Sequence, residues 1–230
     1  MLNVENLSIV AKLEGGDNTI VSGLSFSIDD GELLGIVGES GCGKTMTALS
    51  LMGLLPQNCH ALGHAYVGGT DVLTLGEKQL RGLRGRDMIY IPQSGADFLN
   101  PSLTVKTHFY ETLKRLGVKR SNWREQSESL LTGVGFPDAQ SILRKYPFQL
   151  SGGMAQRVVL ALGLTAKSKL IIADEPTRGL DRDAAFAFMD LLKKLMMDCA
   201  AAVITHDYAI SEKCSRVLEL TRNVGDYGYN

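Results

Sequence analysis

Three short stretches of this chain carry residue types suited to phosphate chemistry. Gly38-Glu39-Ser40-Gly41-Cys42-Gly43-Lys44-Thr45 matches G-x-x-x-x-G-K-[ST] in full, after a short apolar run and before a helical one. Its glycines let the backbone curl so that successive N–H groups point at phosphate oxygens. The start of the following helix adds its partial positive charge. In such a loop Lys44 reaches the β- and γ-phosphates and the Thr45 hydroxyl ligates Mg²⁺. The second stretch, Leu170-Ile171-Ile172-Ala173-Asp174-Glu175, is an apolar strand ending in two carboxylates. Asp174 is placed to hold Mg²⁺ through a water, and Glu175 to polarise an attacking water as general base. Two acids ending a buried strand are costly unless they meet a cation. The third stretch, Leu150-Ser151-Gly152-Gly153, opens a helix with a hydroxyl, bare N–H groups and a positive dipole end. One loop already binds the triphosphate, so a second anion-facing helix end is useful only against a nucleotide held by another molecule.

Each stretch has a plainer reading: a Gly-rich turn, two acids entering a loop, a serine helix cap. Their joint occurrence favours the chemical one. The loop alone indicates a nucleoside triphosphate and leaves kinases, GTPases and helicases open. Cys42 lies near a helix N-terminus that lowers thiol pKa values, which would suit a redox switch. A small residue fitting the turn explains it more simply.

The elements that must position these groups are legible as hydrophobic patterns. Residues 3–12 and 19–29 read as two strands of a hairpin across Glu14-Gly15-Gly16-Asp17. Leu33–Val37 is apolar throughout, as in a parallel strand buried on both faces. Met88–Ile91, Leu170–Ala173 and Ala201–Ile204 repeat that style, and Val217–Leu220 is a candidate last strand. Lys44–Leu55 reads as a helix stopping before Pro56. In 182–198, Phe188, Leu192 and Leu195 fall on one helical face. Alternating strands and helices predict an α/β fold with a mostly parallel sheet and an N-terminal antiparallel portion. Residues 94–160 show helical periodicity without a convincing strand. The expected organisation is a single domain over 1–230, with 1–93 and 161–230 as the α/β core and 94–160 as an inserted helical lobe.

Composition bounds the function. With 230 residues, 44% apolar, the chain supports one large domain with an ample core. A net charge of −1 gives no basic field for nucleic acid, and no nucleic-acid partner is expected. The four cysteines, Cys42, Cys59, Cys199 and Cys214, lack C-x-x-C spacing, so neither a zinc site nor a redox pair is indicated. The first residues, Met1-Leu2-Asn3-Val4-Glu5-Asn6-Leu7-Ser8-Ile9-Val10, show no basic start followed by an apolar signal core. No apolar run approaches the ~20 residues of a membrane helix, so a membrane role requires a separate spanning partner.

Taken together, the phosphate loop, the acidic strand end and Leu150-Ser151-Gly152-Gly153 followed by Gln156 and Arg157 resemble the ABC ATPase family, with every motif in the family's order. The resemblance covers essentially the whole chain. It implies a P-loop NTPase fold and ATP with Mg²⁺ as ligands. It also implies a head-to-tail dimer with an identical or homologous ATPase, in which Ser151, Gly152, Gly153 and Gln156 cap the partner's γ-phosphate. Gln93, in Ile91-Pro92-Gln93, resembles the family's Q-loop glutamine, which ligates Mg²⁺ or water and links core to helical lobe. His206, in Thr205-His206-Asp207, resembles the switch histidine that contacts the γ-phosphate. Leu180-Asp181 resembles the D-loop, with Asp181 shaping the dimer interface and contributing to the nucleotide site.

Two departures stand out. The end of the first strand, Ser8-Ile9-Val10-Ala11-Lys12, lacks the aromatic on which adenine normally stacks, and Phe26 is the first aromatic in the chain. Weaker adenine contact and poorer discrimination of ATP from GTP are expected. The D-loop reads Thr177-Arg178-Gly179-Leu180-Asp181, with Arg178 and Gly179 where Ser or Thr and Ala are commoner.

Within the family, Gln93-Ser94-Gly95-Ala96-Asp97-Phe98-Leu99-Asn100-Pro101 and Tyr146-Pro147-Phe148 resemble the peptide/nickel importer group. That resemblance implies a peripheral ATPase on the cytoplasmic face of the membrane, powering import of a peptide, nickel or a metal chelate. Its partners would be two membrane-spanning permease subunits and, indirectly, an extracytoplasmic solute-binding protein. Residues 94–110, including Phe98, Leu99 and Phe109, are expected to form the permease dock, with ordinary core packing as the alternative. Many members of the group carry a further C-terminal segment; this sequence stops at Asn230, and a regulatory tail is not expected. His60 and His64 fall in an expected polar loop without partners at ligand spacing, which argues against a nickel site there. An exporter subunit, a soluble ABC ATPase and a P-loop small-molecule kinase are the alternatives. The last would need neither the Ser-Gly-Gly signature nor the switch histidine.

Overall fold

The computed structural model describes residues 1–93, 95–166, 168–196 and 198–221, and all of their side chains except those of Ala96 and Asp97. Ser94 of the Q-loop segment, and the last stretch assigned to the core, 222–230, lie outside the described residues.

The chain forms two sheets. Strands β1 (Leu2–Leu13), β2 (Gly16–Ile28), β4 (Cys59–Val67) and β5 (Thr70–Asp71) make an antiparallel sheet in the order β2-β1-β4-β5. Strands β3 (Leu33–Val37), β6 (Met88–Ile91), β7 (Leu170–Asp174), β8 (Ala200–Ile204) and β9 (Arg216–Glu219) make a parallel one in the order β6-β7-β8-β3-β9. The predicted α/β class, with its N-terminal antiparallel portion and hairpin, is therefore present. Every residue of β3, β7 and β8 is buried, which explains why their sequences show no polar alternation.

Side chains alternating along these strands serve two cores. Ile171, Ala173 and Val203 face a helical layer that includes Phe109, Val158, Phe188 and Leu192. Leu170, Ile172 and Ile204 face the antiparallel sheet through Leu2, Ile9 and Ile28, and meet Ala48 and Leu51 of helix α1 (Lys44–Leu51). After α2 (Glu77–Leu83) and β6, the chain runs through α3 (Gly95–Phe98), α4 (Val105–Arg115), α5 (Trp123–Gly133), α6 (Ala139–Arg144) and α7 (Gly152–Gly163) before returning to β7. Helix α8 (Arg182–Leu195) follows β7, and α9 (Tyr208–Ser211) follows β8.

Three expectations need correction. Helix α1 ends at Leu51 rather than Leu55, because Gly53 adopts the left-handed conformation (φ 60°) and its N–H turns back to the Ser50 carbonyl, 3.0 Å away. His60 and His64 lie on a strand, not in a loop: β4 pairs antiparallel with β1, His64 opposite Glu5. His64 Nδ1 lies 2.8 Å from Asp71 Oδ2, and no group of three metal-capable side chains occurs among the described residues. Phe109 is fully buried core and offers nothing to a docking partner, whereas Phe98 is 55% exposed. No helix of the described residues is long and apolar enough to cross a membrane.

Candidate functional site

Because β6, β7, β8 and β3 are neighbours and parallel, their carboxyl ends open onto one edge of the sheet. That edge is where open α/β sheets bind ligands. From β3 the chain enters the phosphate loop, whose Gly38, Gly41 and Gly43 all have positive φ. Lys44 Nζ, almost buried, donates to the carbonyls of Gly38 (2.7 Å) and Glu39 (2.8 Å) and lies 3.7 Å from Cys42 Sγ. The loop's own carbonyls thus hold the Lys44 ammonium within the loop. Cys42 is buried, in keeping with a packing role.

Beside the loop lies a cleft of about 660 Å³. Ser40, Gly41, Gly43, Lys44, Thr45, Gln93, Asp174, Glu175 and His206 line it, with Ile20, Met46 and Arg178. Most of the residues selected from sequence therefore converge, although they come from four strand ends.

Two acids dominate the electrostatics. Asp174 is buried at the end of β7, and burial raises its carboxyl above the ordinary range against the lowering pull of hydrogen bonds from Thr45 and Tyr90. Tyr90 Oη donates to Asp174 Oδ2 at 3.0 Å, while Asp174 Oδ1 is buried without a hydrogen-bond partner. Burial and the adjoining carboxylate push the Tyr90 hydroxyl pKa upward, so it stays a donor. A buried oxygen lacking a partner beside a threonine hydroxyl and the Gln93 amide is an oxygen-donor set that fits a hard divalent cation such as Mg²⁺.

Glu175 has φ 48°, uncommon outside glycine, and its N–H is held by the Ile204 carbonyl at 2.8 Å. The bend turns its carboxylate toward β8. Glu175 Oε1 accepts from the His206 backbone N–H (3.0 Å) and lies 2.6 Å from His206 Nδ1. A strained backbone at a cleft-facing acid marks a position that packing over-determines.

The remaining selected residues lie elsewhere. Ser151 caps α7, its Oγ accepting from Met154 N–H at 3.3 Å, and with Gly152 it is exposed outside the cleft. Gly153 approaches Leu180, just before Asp181, whose carboxylate caps α8 through Ala184 N–H (2.9 Å). Gln156 corrects an expectation. It is 4% exposed on the inner side of α7, so it is a packing residue rather than a nucleotide contact. A Cβ on Gly95 would lie 2.6 Å from Gln156 Oε1 and 2.9 Å from its backbone N and Cα. The segment after Gln93 therefore rests directly on the signature helix. Gly95→Ala should destabilise the protein by about 1–3 kcal/mol. Gly133→Ala in α5, where a Cβ meets nothing within 4 Å, should be neutral or mildly stabilising. Chemical denaturation of the two variants checks this.

Sequence reasoning missed Ile20 and Met46 at the cleft, Tyr90 behind it on Asp174, and the Gly95 contact. Tyr90 was visible as the one polar-tipped residue of an otherwise aliphatic strand. The others depend on which strands and helices become neighbours.

A profile described as ABC transporter matches residues 21–178, well over half of the chain. The chain belongs to the ABC transporter family. As an ABC ATPase it binds and hydrolyses ATP. It is 38% identical over 97% of its length to the metal-staphylopine import system ATP-binding protein CntD of Staphylococcus aureus, spanning 83% of that protein. It is 39% identical over 95% of its length to the oligopeptide transport ATP-binding protein OppD of Escherichia coli, of which it spans 66%, a little under two thirds. Its fold superposes on the dimeric ABC transporter cassette MJ0796 with a TM-score of 0.83, at 26% identity over 96% of this chain and 95% of that one. A second MJ0796 structure, a post-hydrolysis dimer bound to ADP and Pi, gives 0.83 at 25% identity over 97% of each chain.

Proposed function

We propose that this ABC ATPase powers solute import as a peripheral subunit on the cytoplasmic face of the membrane, paired head to tail with a second ATPase chain. The observation that carries the paired arrangement is the exposed Ser151–Gly152 helix end, outside a cleft that already holds the lysine, two acids and histidine needed for one triphosphate. An exposed helix N-terminus capped by Ser151 suits a neighbour's γ-phosphate. The importer assignment, toward peptides or metal chelates, rests on the likeness to CntD and OppD.

In this reading the backbone N–H groups of Gly38–Thr45 and the Lys44 ammonium bind the β- and γ-phosphates. Thr45, Gln93 and, through water, Asp174 would hold Mg²⁺, which when bound neutralises phosphate charge. Glu175 orients the attacking water and takes its proton, and His206 contacts the γ-phosphate while bonded to Glu175. Ser151 and Gly153 of the partner close the site, and Asp181 shapes the seam. The α/β core, 1–93 and 161–230, and the helical lobe, 94–160, move relative to each other through the Gln93–Gly95 segment. A membrane subunit docks in an apolar groove of about 370 Å³ at which Leu54 and Phe98 are exposed, Leu99 being buried beneath them like Phe109. This groove abuts that same segment, so docking and nucleotide state are mechanically linked.

The paired reading is tested by mixing two inactive variants. Lys44→Ala removes the phosphate loop's cation and Ser151→Arg blocks the helix end, so each alone should hydrolyse ATP at under about a hundredth of the parent rate. Mixed dimers contain one intact composite site, and phosphate release should return to a sizeable fraction of the parent rate. Persistent inactivity of the mixture, alongside normal nucleotide binding by the Ser151→Arg chain, would count against it. Purifying the chain with its membrane partners and identifying them tests the importer assignment.

A further inference from the structure

The base end of the cleft is the least furnished part of the site. Among the described residues no Phe, Tyr or Trp lines the cleft, and the only aliphatic side chains lining it are Ile20 and Met46, both half-buried. Neither carries a group that hydrogen-bonds a base edge. The chain nonetheless displays an aromatic pair. Phe148 is 75% exposed, the most exposed large apolar residue among the described residues, and stacks on Tyr146 with centroids 5.5 Å apart and planes 12° from parallel. A tight turn holds the pair in place. Pro147 between them is buried, Gln149 Oε1 accepts from Tyr146 N–H at 2.9 Å, and Leu150 N–H donates to the Pro147 carbonyl at 3.0 Å. Phe148 is therefore presented to solvent by a rigid frame, at no further ordering cost on contact.

Ser151, the cap of α7, follows Phe148 after two residues, a span of at most ~10 Å. A nucleoside triphosphate is at least that long from terminal phosphate to base, so Phe148 and Ser151 are close enough to meet one nucleotide. We propose that Phe148, backed by Tyr146, is a stacking platform for the nucleobase of the ATP held in the cleft of a second copy of this chain. This rests on the head-to-tail reading above. If Ser151 meets the partner's γ-phosphate, the aromatic pair meets the same nucleotide further toward its base, where among the described residues the partner's own cleft offers no aromatic side chain. Stacking uses the π-face that every base has, so the platform adds affinity in the closed dimer without selecting adenine over guanine. Its contribution is absent from the monomer, which makes base contact a consequence of closure.

The test follows ATP-driven dimerisation of the full chain by light scattering, in a Glu175→Gln background that keeps ATP intact. Phe148→Ala should raise the ATP concentration for half-maximal dimerisation by roughly tenfold, with a similar shift for GTP. The dimer should still form at saturating nucleotide, and the affinity of dilute monomer for a fluorescent ATP analogue should not change. Phe148→Trp should keep the parental ATP dependence, and its indole emission should change on closure beyond the response of the one native tryptophan, Trp123. An unaltered ATP dependence in Phe148→Ala overturns the platform while leaving the head-to-tail dimer intact. Loss of dimerisation at every ATP concentration in that variant alone identifies a protein–protein contact instead. Absence of ATP-driven dimers in the Glu175→Gln parent overturns the reading beneath.

Discussion

Glu175→Gln should bind ATP, accumulate as a closed dimer and hydrolyse its nucleotide roughly 10²–10⁴-fold more slowly than the parent. The expectation follows from what the substitution keeps. Glutamine has the same shape, its amide oxygen still accepts the His206 N–H that Glu175 Oε1 accepts at 3.0 Å, and the backbone bond to Ile204 does not involve the side chain. The left-handed conformation at this position is no harder for glutamine than for glutamate. What disappears is a carboxylate able to take a proton from water. Binding, carried by the phosphate loop on a different strand, should persist. Phosphate release measured beside retention of labelled ATP on the dimer separates the two. Near-parental turnover would remove Glu175 from the role of base.

Lys44→Ala should fail earlier, at binding. An ammonium on phosphate oxygens forms charge-assisted hydrogen bonds, each worth roughly 1.5–3 kcal/mol. Losing them should weaken ATP binding by about two orders of magnitude or more, as titration calorimetry would read. The same substitution affects the empty protein. The carbonyls of Gly38 and Glu39 lose the donor that now ties the loop shut, and Lys44 is 8% exposed. The nucleotide-free variant should therefore be destabilised by about 1–3 kcal/mol. Loss of affinity without loss of stability would mean that the closed loop contributes little. Unchanged affinity would place the triphosphate elsewhere.

How far the sequence foretold this arrangement depends on whether local pattern or distant pairing decides each element. Leu33–Val37, Leu170–Asp174 and Ala200–Ile204 were legible because strands covered on both faces tolerate only apolar residues. The phosphate loop was legible because few other sequences fold its turn. Cys59–Val67 was not. Gly63, two alanines and two histidines give it little intrinsic strand character, and it is a strand because β1 supplies a matching edge from 48 to 65 residues away. The end of α1 was set by the conformation of Gly53, where Pro56 looked like the natural stop.

Gln156 is a different kind of miss, since its signal was present. Counted from the Ser151 cap, Gln156 shares a helical face with Val159, Leu160 and Gly163, all of them buried. Periodicity therefore places it inward even though the family motif suggests ligand contact. The Tyr90–Asp174 bond had no local signal, because it exists only once β6 lies beside β7. The cleft residues on strand ends were thus readable from motif and strand order together, while the groups that support them were not.

The decisive measurement is a structure of the Glu175→Gln chain assembled with ATP, read for the position of Ser151 Oγ relative to the neighbour's γ-phosphate. Hydrogen-bond distance, about 3 Å, is the expected result, with Lys44 of the neighbour on the opposite side of the same phosphate. A nucleotide-filled assembly in which Ser151 faces solvent would show that one molecule alone grips the triphosphate.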